Sequence, residues 1–147
     1  QWKWLQNELN DETTDLLIIG SSIQLIAEEQ GFEKWQNFPA ARKRFFNLLA
    51  TTGDTPVFII SGDRHMAEMS KIDLSNVNYP LYDLTASGLT HTWGMYREEP
   101  NQYRQGEMIV VRNFGMLEIS FSDHQSKLEA KVIDEEGVEL LKQTIQY

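Results

Sequence analysis

Apolar residues in the first 60 positions follow two different patterns. In residues 1–9 they recur at helical spacing, which predicts the end of an amphipathic helix. The runs "LLIIG" at 16–20 and "PVFII" at 56–60 are unbroken and predict short buried strands. Between them, Pro39 suits the first turn of a helix and Gly53 suits its end. The order strand, helix, strand predicts two parallel strands joined by a right-handed crossover.

Beyond residue 65 the pattern changes to short alternating segments. These segments are "MAEMSKID", "YPLYDLTA", "EMIVVRN", "GMLEISFS" and "KLEAKVID", and turn residues separate them. They predict an antiparallel meander with one face toward solvent. The predicted fold class is therefore α/β, with a small parallel strand–helix–strand unit that continues into an antiparallel sheet. No shift in composition marks a boundary within residues 1–147, which predicts a single domain or part of a larger one.

Composition limits the classes of function. Hydrophobic residues make up 41% of the chain and aromatic residues 11%, which is typical of a folded globular protein. The longest apolar runs are four or five residues, too short for a membrane span. A net charge of −9 argues against nucleic acid or an anionic membrane as the main partner. The absence of cysteine excludes disulfides, thiolate metal sites and a cysteine nucleophile.

Candidate chemistry lies in "SGDRH", directly after the second apolar run. Open α/β sheets bind ligands at the carboxyl ends of their strands, and Gly62 lets the backbone approach a ligand closely. On an extended chain Asp63 and His65 would point the same way, so they predict a metal site. A carboxylate with an imidazole suits iron, zinc or manganese. The alternative is a turn in which Asp63 caps the backbone and His65 is packed.

The pattern Gly62-Asp63-x-His65 resembles the last metal-binding motif of the calcineurin-like metallophosphoesterases, and within them of the PhoD-like (alkaline phosphatase D) family. Five other segments are similar to that family in the same order: "QWKWLQNEL", "IIGSSIQLI", "FEKWQNFPAARKRFFNLL", "LYDLTASGLTHTW" and "NFGMLEI". Together they cover nearly the whole chain. The family's earlier metal-binding motifs are absent, so the chain resembles the C-terminal half of a metallophosphoesterase sandwich.

The resemblance implies a two-metal hydrolase of phosphate esters. Asp63 and His65 would be its metal ligands and catalytic residues, and iron and calcium are the implied ions, with zinc or manganese as alternatives. Four further residues would bind the substrate: Arg64, Ser87, Thr90 and His91. We expect Thr90 or His91 to lie on the same sheet edge as His65. The family resemblance also implies export, for example to the periplasm.

Two ligands are too few to hold two metal ions. We therefore expect the isolated chain to be inactive and to need the missing N-terminal half of the domain as its partner. Without that half, an edge or apolar face around residues 16–19 and 57–60 should be exposed, which favours a homodimer.

Two other functions remain as alternatives. The first is a non-catalytic α/β binding or interaction module in which Gly62-Asp63 is only a turn. The second is a Ser-His-Asp triad built from Ser61 or Ser87 with His91 and Asp83, although no nucleophile-elbow pattern supports it.

Overall fold

The computed structural model describes residues 1–11, 13–51, 55–93, 99–122 and 125–147. Within these ranges the elements are α1 (Trp2–Leu9), β1 (Leu17–Ser21), a 3₁₀ turn (Trp35–Asn37), α2 (Pro39–Leu49), β2 (Val57–Ser61), β3 (Ala67–Ile72), β4 (Leu81–Ala86), β5 (Arg104–Ile109), β6 (Asn113–Ser122), β7 (Gln125–Asp134) and β8 (Glu139–Gln146). The predicted α1, β1, α2 and β2 are confirmed, whereas Gly53 lies outside the described residues. Neither described helix has the length and apolarity that a membrane crossing needs.

The first sheet has five strands in the order β1-β2-β4-β3-β5. β1 pairs in parallel with β2, as predicted, and β2 pairs in parallel with β4. The segment of β4 is predicted to belong to an antiparallel meander with one face toward solvent. This prediction is wrong for the pairing of β4 with β2, which is parallel, whereas the pairing with β3 on its other side is antiparallel. Its alternating polar residues Asp83 and Thr85 are buried, so the alternation does not mark a solvent-facing side.

The second sheet is a three-stranded antiparallel meander in the order β6-β7-β8. Its first hairpin is continuous from Asn113 opposite Asp134 to Ser122 opposite Gln125. This part of the predicted meander is confirmed. The segment "EMIVVRN", predicted as one strand, is divided, because β5 ends at Ile109 and β6 begins at Asn113. That break lets the chain leave the first sheet and enter the second.

Two apolar cores hold three layers together. The face of the first sheet that carries Phe58 packs against the second sheet, where Leu128, Ala130 and Val132 of β7 are fully buried. The opposite face, which carries Val57 and Ile59, packs against both helices. Because β2 contributes to both cores, its apolar run is nearly continuous, as expected for a strand that is covered on both faces.

Apolar side chains are exposed along the edge strands β1 and β6 of the two sheets. β1 is an edge strand, and its residues are half-buried or exposed, so the prediction of a buried strand at this position is wrong. The exposed apolar surface expected around residues 16–19 and 57–60 is confirmed in part: Ile18 and Ile60 are 37% and 39% exposed, whereas residues 57–59 are buried. β6 is likewise an edge strand, and its residues Ile119 and Phe121 are exposed.

The core between the two sheets generates a stability prediction. Leu128→Ala should lower the free energy of unfolding by about 2–5 kcal/mol, because Leu128 is fully buried and its removal leaves a cavity. Leu140→Ala deletes the same atoms from an exposed site and should change it by less than about 0.5 kcal/mol. Urea unfolding followed by circular dichroism measures both, and equal effects would contradict this description of the core.

Candidate functional site

Two loops meet at the carboxyl edge of the first sheet. β2 and β4 are parallel neighbours, so the segments that follow them, residues 62–65 and 87–93, leave the sheet at the same edge. The backbone N–H of Ser87 donates to the Met66 carbonyl at 3.1 Å, and the Ser87 hydroxyl donates to the same oxygen at 3.3 Å. This contact fixes one loop against the other at the edge where ligands bind in such sheets.

The backbone at the predicted metal ligands differs from the extended geometry that we expected. β2 ends at Ser61, and both Asp63 and His65 lie beyond it with left-handed φ angles of 70° and 52°. The argument that they point the same way because they alternate on a strand is therefore wrong. Left-handed backbone is unfavourable for residues other than glycine, by about 1–2 kcal/mol each, and such strain clusters at functional sites.

The ring of His65 contacts two aromatic neighbours from the other loop. Its centroid is 4.1 Å from that of His91, and it stacks on Trp93 at 5.4 Å. The expectation that Thr90 or His91 lies near His65 is confirmed, and the Thr90 hydroxyl is 3.2 Å from His91 Nδ1. His65 Nδ1 is buried without a hydrogen-bond partner among the described residues. A metal ion or a polar ligand would satisfy this atom.

Arg64 lies between the candidate ligands Asp63 and His65 in the sequence, and its side chain is buried in the protein. Its guanidinium pairs with Glu99 at 2.5 Å and lies 4.6 Å from the centre of the Phe32 ring. The side chain is only 4% exposed. Binding of a phosphate by Arg64 stays a prediction, and it would require the guanidinium to exchange Glu99 for the substrate.

The described residues supply few metal ligands. Asp63 is exposed and His65 has one unsatisfied ring nitrogen, which suits a hard oxygen ligand and an imidazole ligand. In the described part of the chain, no group of three or more His, Asp or Glu side chains is placed to hold a metal ion. Asp63 and His65 therefore fit part of a metal centre, and a two-metal centre does not fit on this pair alone.

A row of buried polar side chains crosses the sheet directly beneath the two loops. Ser61 lies opposite Thr85, and Thr85 lies opposite Glu68, on three adjacent strands. The Ser61 and Thr85 hydroxyl oxygens are 2.9 Å apart. Gln24 donates its amide hydrogens to Thr85 at 2.9 Å and to Glu68 at 2.6 Å. These bonds attach the segment that follows β1 to the strand ends that carry the candidate site.

One cationic donor and one further amide donor complete the environment of Glu68. Arg104 donates to it at 2.6 Å and Asn101 at 3.1 Å. A buried carboxylate needs such partners because burial disfavours its charge. The sequence carries one signal for this network, namely polar residues at alternate positions of otherwise apolar strands, but this alternation predicts a solvated face.

Asp83 lies on β4 two residues before Thr85, further from the loops, and is fully buried. It accepts hydrogen bonds from the Ser61 hydroxyl at 2.7 Å and from the backbone N–H groups of Leu25 and Ile26 at 2.8 and 3.3 Å. Burial nevertheless raises the pKa of Asp83 to about 6. Since Ser61 donates directly to Asp83, no imidazole stands between them, and this contradicts the triad that used Ser61.

Comparison with known proteins supports the fold. The chain is similar to a solved structure described as "Structure of PhoD", with a TM-score of 0.64 and 17% sequence identity. The match covers 98% of this chain and 35% of the PhoD chain. No protein-family model and no curated protein matches the chain. The similarity shows that the mixed α/β architecture is that of one part of PhoD, and the chain spans about a third of the PhoD chain.

Asp83 generates a prediction about pH. Its pKa is about 6 in the folded protein, against an ordinary value of 3.8, so the folded state binds more protons between these values. The contribution of Asp83 to the free energy of unfolding should therefore fall as pH rises from about 4 to 6, by on the order of 3 kcal/mol. Asp83→Asn keeps the shape without the charge. Urea unfolding at several pH values should show the variant gaining stability relative to the wild type across this window, and a constant difference would contradict the assignment.

Proposed function

We propose that this chain is the C-terminal part of a metal-dependent phosphoesterase that hydrolyses phosphate esters. The observation that carries the proposal is the meeting of Gly62-Asp63-x-His65 with the loop 87–93 at the carboxyl edge of parallel strands. His65 there has a buried, unsatisfied ring nitrogen, and both Asp63 and His65 have strained backbone. The fold shared with part of PhoD supports the same assignment.

In this proposal Asp63 and His65 each supply one metal ligand. Iron and calcium are the ions that the family resemblance favours, and zinc or manganese would accept the same ligands. When bound, the metal centre supplies positive charge for the phosphoryl group and an activated water as the nucleophile. The metal charge would also explain how a protein with a net charge of −9 acts on an anionic substrate.

The other residues of the site would orient the substrate. His91 contacts His65 and can hold its ring in place, while Thr90 lies beside His91. Ser87 is bonded to the first loop and would present its remaining hydroxyl lone pairs at the edge. Because Arg64 is paired with Glu99, we assign it to the substrate only if the ion pair opens on binding.

The remaining metal ligands would come from the missing N-terminal half of the domain. Its docking would cover the open side of the sandwich, where Ile18, Ile60, Ile119 and Phe121 are exposed. The isolated chain is then expected to be inactive, because an ion held by two side chains is mostly hydrated and poorly positioned. Export of the whole protein is part of the same proposal and follows from the family resemblance.

A non-catalytic binding module is the second candidate. Its support is that Arg64, the cation nearest the two candidate ligands in the sequence, is buried against Glu99, and that the described residues hold no cluster of three metal-binding side chains. In that case Gly62 and Asp63 would serve only to turn the chain from β2 into β3.

Hydrolysis of p-nitrophenyl phosphate and bis-p-nitrophenyl phosphate tests the proposal. The full-length gene product that contains this chain should turn over at least one of them after incubation with iron and calcium, zinc or manganese. Asp63→Asn or His65→Asn should lower kcat/KM by roughly a hundredfold or more, because each removes a metal ligand. Asp73→Asn, a matched change at an exposed carboxylate, should leave it unchanged.

Metal content separates the two candidates. The phosphoesterase should retain metal after gel filtration, and both ligand variants should lose part of it. A full-length protein that binds no metal and hydrolyses neither ester would leave the binding module as the better description. Robust turnover by the 147-residue chain alone would show that the chain is a complete enzyme.

A further inference from the structure

The hydrogen-bonded strand pairs stop on either side of the two candidate metal ligands. The pairing of β2 with β4 ends at Ser61, and the pairing of β3 with β4 begins at Ala67. Asp63 and His65 lie in the connection between these points, residues 62–66, and both have left-handed backbone. Strained conformations persist only where the surrounding structure holds them in place. Contacts other than the pairing of strands must therefore fix this connection.

Arg64 anchors the connection in the protein. Its Nη2 donates to Glu99 Oε2 at 2.5 Å, and its guanidinium carbon lies 4.6 Å from the centre of the Phe32 ring. The side chains of Arg64 and Glu99 are only 4% and 17% exposed. A charge buried to this extent is costly to leave without its partner. Movement of residues 62–66 that separates Arg64 from Glu99 is therefore opposed, and the two strained residues beside Arg64 are held with it.

Glu99 is itself tied to the first sheet. Arg104 Nη2 donates to the Glu99 carbonyl oxygen at 2.7 Å, and Arg104 Nε donates to Glu68 Oε2 at 2.6 Å. Glu68 belongs to β3 and is 2% exposed. A continuous series of charged contacts therefore runs from the middle of the sheet, through Arg104 and Glu99, to Arg64.

We propose that Arg64 is a positioning residue, whose ion pair with Glu99 stays closed and holds Asp63 and His65 where they bind the metal ion. The inference rests on the proposed function, and it gives Arg64 a role other than contact with the substrate. Arg64 would act through the backbone on both sides of it, and its guanidinium would remain in the protein throughout the reaction.

The sign of the effect on metal binding separates positioning from simple electrostatics. Arg64→Met removes a cation close to the metal site, and by charge alone this should tighten the binding of a metal cation. Loss of positioning has the opposite effect, because Asp63 and His65 would no longer be held in their strained conformations. We expect the dissociation constant for the metal ion to rise about tenfold to a hundredfold, as is typical when a residue that orients metal ligands is removed.

Equilibrium dialysis of the full-length gene product measures this constant. The probe is whichever of iron, zinc, manganese or calcium the wild type retains after gel filtration. Arg64→Lys should recover part of the affinity, since its ammonium can still pair with Glu99 but lacks the planar fork of the guanidinium. Arg112→Met is the matched control, because it makes the same change at an exposed ion pair with Glu135 and should leave the affinity unchanged.

Glu99→Gln separates positioning from substrate binding. If Arg64 bound the phosphate, this variant would release the guanidinium and lower KM for p-nitrophenyl phosphate. As a positioning contact, its loss should instead lower kcat at saturating metal and leave KM unchanged. The double variant Arg64→Met/Glu99→Gln leaves neither charge buried without a partner, which guards against misfolding. It should weaken metal binding by less than the sum of the two single effects, because both act through one contact.

Hydrogen exchange of the full-length protein after treatment with a chelator tests the anchor without metal or activity. The Ser87 N–H donates to the Met66 carbonyl at 3.1 Å, so its protection reports whether the connection stays in place. In Arg64→Met, exchange should accelerate in peptides that cover residues 62–66 and 87, and peptides from β6 to β8 should be unchanged. Equal acceleration throughout the chain would overturn the local role of Arg64.

The outcomes distinguish this inference from the proposed function. If the wild type binds metal and Arg64→Met binds it equally well or more tightly, only the positioning role is overturned. A higher KM in Arg64→Met with unchanged metal affinity would also overturn that role and would return Arg64 to the substrate. A wild-type full-length protein that binds none of these ions would overturn the proposed function itself.

Discussion

Parallel pairing of β2 with β4 is the interaction on which the candidate site depends. β4 lies between β2 and β3, so the chain must pass from the end of β2 over the end of β4 before it returns as β3. That short connection carries Asp63 and His65, and the loop that follows β4 carries His91 and Trp93. The two segments meet because the carboxyl ends of parallel neighbours share an edge. Left-handed backbone at Asp63 and His65 accompanies this tight passage.

The buried polar row beneath the loops is the second feature that holds the site in place. Ser61, Thr85 and Glu68 stand on three adjacent strands, and Gln24 joins the segment after β1 to two of them. Each of these groups would be costly to bury alone, and together they satisfy one another. Asp83 adds a carboxyl whose pKa is raised to about 6 by burial, so the interior of this edge is sensitive to pH in a range where surface carboxylates are already ionised.

Local sequence patterns predicted the elements that depend on local interactions. The spacing of α1, Pro39 at the start of α2 and the unbroken run of β2 each reflect a local rule, and each is confirmed. The place of β4 could not be read from its own residues, because Asp83 and Thr85 alternate as on a half-exposed strand. Their burial depends on partners that are distant in sequence, such as Leu25, Ile26 and Gln24. The proximity of His65 and His91 was predicted from the family resemblance, while the pairing of Arg64 with Glu99 has no local signal.

We propose that Asp63 and His65 hold a metal ion in the full-length protein. Anomalous X-ray diffraction from crystals of that protein, collected on either side of the iron and zinc absorption edges, would locate the metal ion. We expect an anomalous peak about 2 Å from a ring nitrogen of His65 and from a carboxylate oxygen of Asp63, with further ligands from outside this chain. A full-length protein loaded with metal whose peaks lie elsewhere, with His65 bonded only to protein groups, would contradict it.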